Sequence, residues 1–213
     1  MKKIFLAVVS IIFLVTGMAN AFSLQIGGNY TSPIYSILNG TAAGEGGGSV
    51  DVSYLDGTKL NYLYCVDVFN SISPNTTYVA GVNSDGLIYG SALNNAGAVA
   101  WLLSNYGTSG QGLEAYALQA AIWHVTSEGT GRTYELDTVI STQEQVNLYN
   151  SYLAALGNNT GNVHDFLWIS PENANNYYYQ GLVGAVPEPT TILLFGLGLI
   201  GLAVLRRKFK KSN

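Results

Sequence analysis

Leu113-Glu114-Ala115-Tyr116-Ala117-Leu118-Gln119-Ala120-Ala121-Ile122-Trp123-His124-Val125-Thr126 is the stretch whose reading decides the fold. Leu113, Tyr116, Ala120 and Trp123 recur at 3- and 4-residue steps, so they share one face of an α-helix. Ala96 to Ser104 carries Ala, Leu and Trp at the same spacings. Gln143 to Leu156 does so again with Val146, Tyr149, Leu153 and Leu156, and Gly157 closes it as a C-cap. Helices therefore fill the middle of the chain. On either side the period changes. Phe22 to Asn39 alternates loosely and is rich in Tyr, Ser and Ile, which predicts strands. Val50 to Tyr54 and Leu60 to Phe69 read as two strands of a hairpin around the turn Asp56-Gly57. Gly40 to Ser49 (GTAAGEGGGS) reads as a flexible loop, and Ser71 to Thr77 as another loop. Phe166 to Ile169 and Tyr177 to Val183 read as closing strands. Strands, then helices, then strands predict an α+β domain: a β-sandwich or barrel with a helical insertion.

Both ends read as processing segments. Lys2 and Lys3 precede an apolar run from Ile4 to Val15, and Met18-Ala19-Asn20-Ala21 follows. A short basic region, a short apolar core and an A-x-A site form a secretory signal peptide, 1–21, with cleavage after Ala21. At the other end Pro187-Glu188-Pro189 leads into an apolar run over 190–205 and a basic end over 206–211. Sixteen helical residues rise about 24 Å, close to the bilayer core once flanking residues are added. Basic residues after the span keep that end cytoplasmic, so the preceding domain lies outside. Pro-Glu-Pro, a spanning helix and an Arg-rich end, in that order, resemble a PEP-CTERM sorting tail over 187–213. The resemblance implies removal by an exosortase-type enzyme, with a membrane-tethered precursor that ends at the cell surface or in extracellular matrix.

Charge is distributed unevenly. Two of the nine Lys and Arg fall before residue 22 and five after 186, which leaves Lys59 and Arg132 in the domain 22–186. Twelve of the thirteen acids stay there, for a net charge of about −10. Nucleic acid is excluded as a partner, because phosphate binding needs Lys and Arg. Two His and one Cys at unrelated spacings support no metal site, and no phosphate loop is present. No cofactor is expected.

The lone cysteine stands in Tyr62-Leu63-Tyr64-Cys65-Val66-Asp67-Val68-Phe69, an aromatic and aliphatic run that predicts burial. An oxidising compartment favours paired cysteines, so a single one is either a small core residue or a reactive group. Gln119, flanked by Ala, Leu, Ile and Trp, either faces solvent or sits buried with its amide hydrogen-bonded.

Taken together, Tyr64-Cys65 and Leu118-Gln119-Ala120-Ala121-Ile122-Trp123 resemble the cysteine and glutamine motifs of the thioester domains of bacterial surface adhesins. The resemblance is specific over about 60–125 and also fits the strand–helix–strand order. It implies an internal thioester between Cys65 and Gln119, formed with loss of ammonia. It further implies covalent capture of a protein amine or a polysaccharide hydroxyl, a role that is not enzymatic. Tyr64, Trp123 and Phe69 are candidate water-excluding walls. Asp67 and His124 are the candidate proton carriers; Asp67 ranks first because i+2 on a strand shares the face of Cys65. Two other readings stay open. One is a cysteine hydrolase pairing Cys65 with His124 or His164, the latter oriented by Asp165. The other is a non-reactive matrix or glycan-binding module built on its 15 Tyr and 3 Trp.

Overall fold

The computed structural model describes residues 21–172 and 178–186. Nine strands come first: β1 (Phe22–Gln25), β2 (Asn29–Leu38), β3 (Thr41–Asp51), β4 (Tyr54–Leu55), β5 (Thr58–Lys59), β6 (Leu63–Cys65), β7 (Thr77–Asn83), β8 (Leu87–Ile88) and β9 (Ser91–Ala92). Helices α1 (Ala96–Tyr106) and α2 (Leu113–Ser127) follow, then β10 (Tyr134–Leu136), α3 (Gln143–Leu156), β11 (Phe166–Glu172) and β12 (Leu182–Ala185). The pairings are antiparallel throughout. Seven strands form the main sheet in the order β5-β4-β1-β7-β11-β12-β6. A second sheet runs β10-β2-β3, and β8 and β9 make a small ribbon. The domain is mostly β with three helices, as the α+β reading anticipates.

The three helices lie where the helical spacing puts them, and α3 keeps its expected limits of Gln143 and Leu156. A capping box starts α3: the Thr142 hydroxyl accepts from Gln145 N–H, and the Gln145 side chain accepts from Thr142 N–H. Gly157 ends it at φ +47°, a conformation that favours glycine. Helix α2 is different in kind. Only Leu113, Glu114 and His124 escape burial, so α2 is the buried axis of the domain and not an amphipathic surface helix. It packs on α1 and α3 on one side and on β3, β2, β10 and β6 on the other.

Four expectations change. Gly40–Ser49 is no loop: it forms most of β3, paired with β2 over registers such as Tyr35↔Gly44 and Leu38↔Thr41. The expected strand Leu60–Phe69 contracts to Leu63–Cys65. Asp56-Gly57 does turn a hairpin, with φ of +46° and +75°, but it joins β4 to β5; β6 pairs with β12 instead. The closing strand begins at Leu182, although Tyr178 makes an isolated bridge to Glu172, and Tyr177 is outside the described residues. Strand β7, unforeseen, sits at the centre of the main sheet between β1 and β11. The signal peptide, Pro187-Glu188-Pro189 and the segment 190–205 also lie outside the described residues. Among the described residues no helix is long and apolar enough to cross a membrane.

Candidate functional site

Strand β6 is an edge strand whose sheet partner is β12, with Leu182 opposite Cys65. The ladder bonds at this point go through the neighbours: Val66 N–H donates to Gly181 C=O at 2.8 Å. Cys65's own backbone groups face away from β12, as alternate residues of an antiparallel strand do. An edge strand buried in this way needs a substitute partner.

Gln119 is that partner. Its Nε2 donates to Cys65 C=O at 2.7 Å, and its Oε1 accepts from Cys65 N–H at 2.9 Å. The carboxamide thus imitates a neighbouring strand, and both residues are sealed from solvent: Gln119 is 0% exposed and Cys65 2%. A side chain thus meets the backbone of a residue 54 positions away in sequence. Burial without these bonds would cost several kcal/mol, so the pairing fixes both the rotamer and the amide orientation of Gln119.

The glycine run of β3 makes the approach feasible. A Cβ at Gly47 would stand 2.7 Å from Gln119 Cγ and 3.0 Å from both Ile34 Cδ1 and Trp123 Cη2. Only a bare backbone lets β3 lie this close to α2. That is why GTAAGEGGGS is strand here: its glycines serve close packing. On its other side Gly47 lines a cleft of about 140 Å³, together with Cys65, Ile26, Val50, Asn70 and Gln180.

Burial pushes the Cys65 thiol up to about 12, and the negative charge of Asp67 adds to the effect. The sulfur rests as a neutral thiol at physiological pH. Asp67 itself lies two residues beyond the end of β6, so the strand argument that placed it on the Cys65 face does not hold. Its Oδ1 accepts from Phe69 N–H at 2.9 Å, its Oδ2 accepts from Asn70 Nδ2, and its carbonyl accepts from Gln180 Nε2 at 2.6 Å. It organises the 66–70 turn at the back of the site.

The remaining candidates divide. Trp123 is fully buried one turn beyond Gln119, against Gly47 and edge-on to Tyr134 at 5.8 Å. Tyr64 is also fully buried; its hydroxyl donates to Thr108 C=O at 2.8 Å, and burial raises its pKa. Phe69 lies elsewhere, in a second cleft of about 330 Å³ beneath the Arg132 guanidinium, which stands 4.8 Å from its ring centre. His124 points away from Gln119, as its place five residues along the helix requires. Its Nδ1 is 2.9 Å from the Tyr149 hydroxyl and its Nε2 3.3 Å from Glu128 Oε1. His164 Nδ1 bonds Ser84 C=O at 2.8 Å and stands 3.5 Å from Asp85, while Asp165 takes Asn162 Nδ2. Both imidazoles are thus engaged away from the sulfur, and a protonated thiol in a strand is the reverse of a hydrolase nucleophile. No cluster of three metal-ligating groups occurs among the described residues.

Sequence reasoning missed Gly47 and Gln180. Glycine carries no hydropathy signal, and a run of glycines reads equally as linker or as close-packed strand. Gln180 falls in a segment legible only as a closing strand, with no motif to single it out.

Two family models match the chain. Residues 62–159 match the sequence model of the thioester domain, and residues 185–208 match that of the PEP-CTERM protein-sorting motif. The first match runs from just before β6 to just past the end of α3 and includes Cys65 and Gln119; the second spans Pro187-Glu188-Pro189. No curated protein and no solved structure matches the chain. The chain is thus similar to thioester domains over 62–159 and carries a C-terminal segment similar to the sorting signal of exported proteins.

Proposed function

We propose that Cys65 and Gln119 close an internal thioester, and that this bond captures a nucleophile on a surface partner covalently. The observation that carries the reading is the two-point seating of the Gln119 carboxamide on the Cys65 backbone, sealed from water. The Cys65 N–H that holds Oε1 is a donor already aimed at the oxygen on which charge develops during attack. The Cys65 Sγ–Gln119 Cδ bond forms as the Cδ–Nε2 bond breaks. The thiol proton passes to the departing nitrogen, which leaves as ammonia. The sulfur attacks as the thiolate, and the proton it gives up is the one the leaving nitrogen requires.

Capture reverses the exchange. An amine attacks Cδ, the C–S bond breaks, and the amine's proton returns to sulfur. A hydroxyl does the same and leaves an ester. The domain ends bound to its target and its thiol is released, so each molecule acts once and is not an enzyme. One lysine, Lys59, remains in a strongly acidic domain, which limits self-reaction. In this reading the chain is held in the membrane by 190–205 until an exosortase-type enzyme acts at Pro187-Glu188-Pro189. It then serves attachment to a protein amine or a polysaccharide at the cell surface or in the matrix.

Intact mass of the untreated domain 22–186 tests the proposal. The expected mass is about 17 Da below the sequence value, with Cys65 unreactive toward iodoacetamide. Methylamine should add about 31 Da and release one alkylatable thiol. Full sequence mass with a free thiol would refute the cross-link. So would a Cys65→Ala variant that still couples to amines.

A further inference from the structure

Gly47 is the glycine at which side-chain space and reaction geometry coincide. Its φ lies outside the left-handed region, so its backbone accepts any L-residue; only space forbids a side chain. The forbidden space is filled by Gln119. A methyl at 47 would sit 2.7 Å from Gln119 Cγ, two bonds from the carboxamide nitrogen that must leave. Gln119 has little room to retreat, because α2 is buried on nearly every side. The methyl cannot turn elsewhere either, with Ile34 Cδ1 and Trp123 Cη2 both 3.0 Å away. Gly47 pairs with Thr31 of β2 between two register shifts of the ladder.

The neighbouring glycines differ. A Cβ at Gly44 would make ordinary contacts, 3.5 Å to Pro33 and 3.7 Å to Tyr35. One at Gly46 would meet the ring of Tyr30, but that residue is 37% exposed and its side chain is free to swing outward. Pressure on the reacting pair is concentrated at position 47.

We propose that Gly47 is a positioning residue for thioester formation: its bare backbone presses the Gln119 carboxamide onto Cys65 and sets the carbonyl within reach of the sulfur. The inference rests on the Cys65–Gln119 thioester and adds the wall that seats it. Relief of a 2.7 Å contact to ordinary packing needs a shift of several tenths of an ångström. Misplacements on this scale slow a positioned reaction by roughly 10- to 100-fold.

The test compares wild type, Gly44→Ala, Gly46→Ala and Gly47→Ala, each as the domain 22–186. Intact mass and Cys65 alkylation are followed over time after refolding, beside circular dichroism. Wild type, Gly44→Ala and Gly46→Ala should lose about 17 Da at similar rates. Gly47→Ala should fold yet keep its full mass and an alkylatable thiol, or lose ammonia roughly 10- to 100-fold more slowly. If Gly47→Ala does not fold, the same comparison is made between Ile34→Val and Ile34→Val/Gly47→Ala, where loss of Cδ1 relieves one 3.0 Å contact and leaves the 2.7 Å contact with Gln119 Cγ in place. Equal rates of mass loss within either pair would overturn the positioning role while leaving the thioester intact. Full mass in the wild type would instead overturn the thioester itself.

Discussion

A buried thiol beside a carboxylate is a poor nucleophile by the ordinary measure, and at the residue scale this sets how Cys65 should behave. Its pKa near 12 leaves about a thousandfold less thiolate at neutral pH than a free cysteine holds. A Gln119→Met variant keeps the side-chain volume and removes the carboxamide, so Cys65 stays a thiol. Iodoacetamide should then modify it about a thousandfold more slowly than a peptide cysteine at pH 8, with a rate still climbing above pH 11. The linkage has a definite sign. The folded value lies above the unfolded one, so the thiol costs no stability below about pH 9, and stability falls as pH rises from there toward 12. Wild type with its thioester has no thiol to titrate and should lack this component. A plateau in alkylation rate near pH 9 in the variant would show that water reaches the sulfur.

At the scale of the element, α2 presents Gln119 to Cys65 and His124 to α3 from a single rigid rod. Its C-terminal end is fixed by side chains from the turn that precedes α1. Asn94 Nδ2 donates to the carbonyls of Thr126 at 3.1 Å and Glu128 at 2.6 Å, and Asn95 Nδ2 to that of Val125 at 2.7 Å. These bonds satisfy carbonyls that a helix end leaves open. The rod makes a clean distinction between readings of His124. A His124→Gln variant loses the Tyr149 contact and should cost about 1 kcal/mol of stability by urea titration. It should keep the mass deficit of the wild type, because the imidazole faces the opposite side of the helix from the bond. Loss of the deficit with the fold intact would return His124 to the chemistry. The helices were legible in the sequence because leucine, tyrosine and tryptophan mark one face at fixed steps. Strand β3 was not, because Gly44, Gly46, Gly47 and Gly48 carry no face at all. For Gly46 and Gly47 the meaning lies in Tyr30 and Gln119, residues from other elements. Asp67 was misplaced for a related reason: β6 stops at Cys65, and a strand's end depends on its partner β12, which the sequence places more than a hundred residues away.

Across the whole molecule, the proposed bond ties β6, on the edge of the main sheet, to the helix at the centre. The sorting signal was legible because its three parts, Pro-Glu-Pro, apolar run and basic end, stand in order in the sequence. Contact between Cys65 and Gln119 could be expected only through family resemblance, since local periodicity does not reveal an edge strand completed by a side chain. The consequence for stability is separable from the chemistry. Closing a loop across 54 positions restricts the unfolded chain by about 4 kcal/mol on the entropy scale of cross-links. For a domain of this size that corresponds to roughly 8–16 °C in Tm. Methylamine offers a comparison without any mutation: it opens the bond but leaves an amide at Gln119 that can still accept from Cys65 N–H. Calorimetry of one preparation before and after aminolysis should therefore show Tm fall by about 10 °C, while far-ultraviolet circular dichroism at 25 °C stays unchanged. An unchanged Tm would mean that strain in the closed bond offsets the entropy it removes, so that the thioester is held for capture and contributes nothing to the fold.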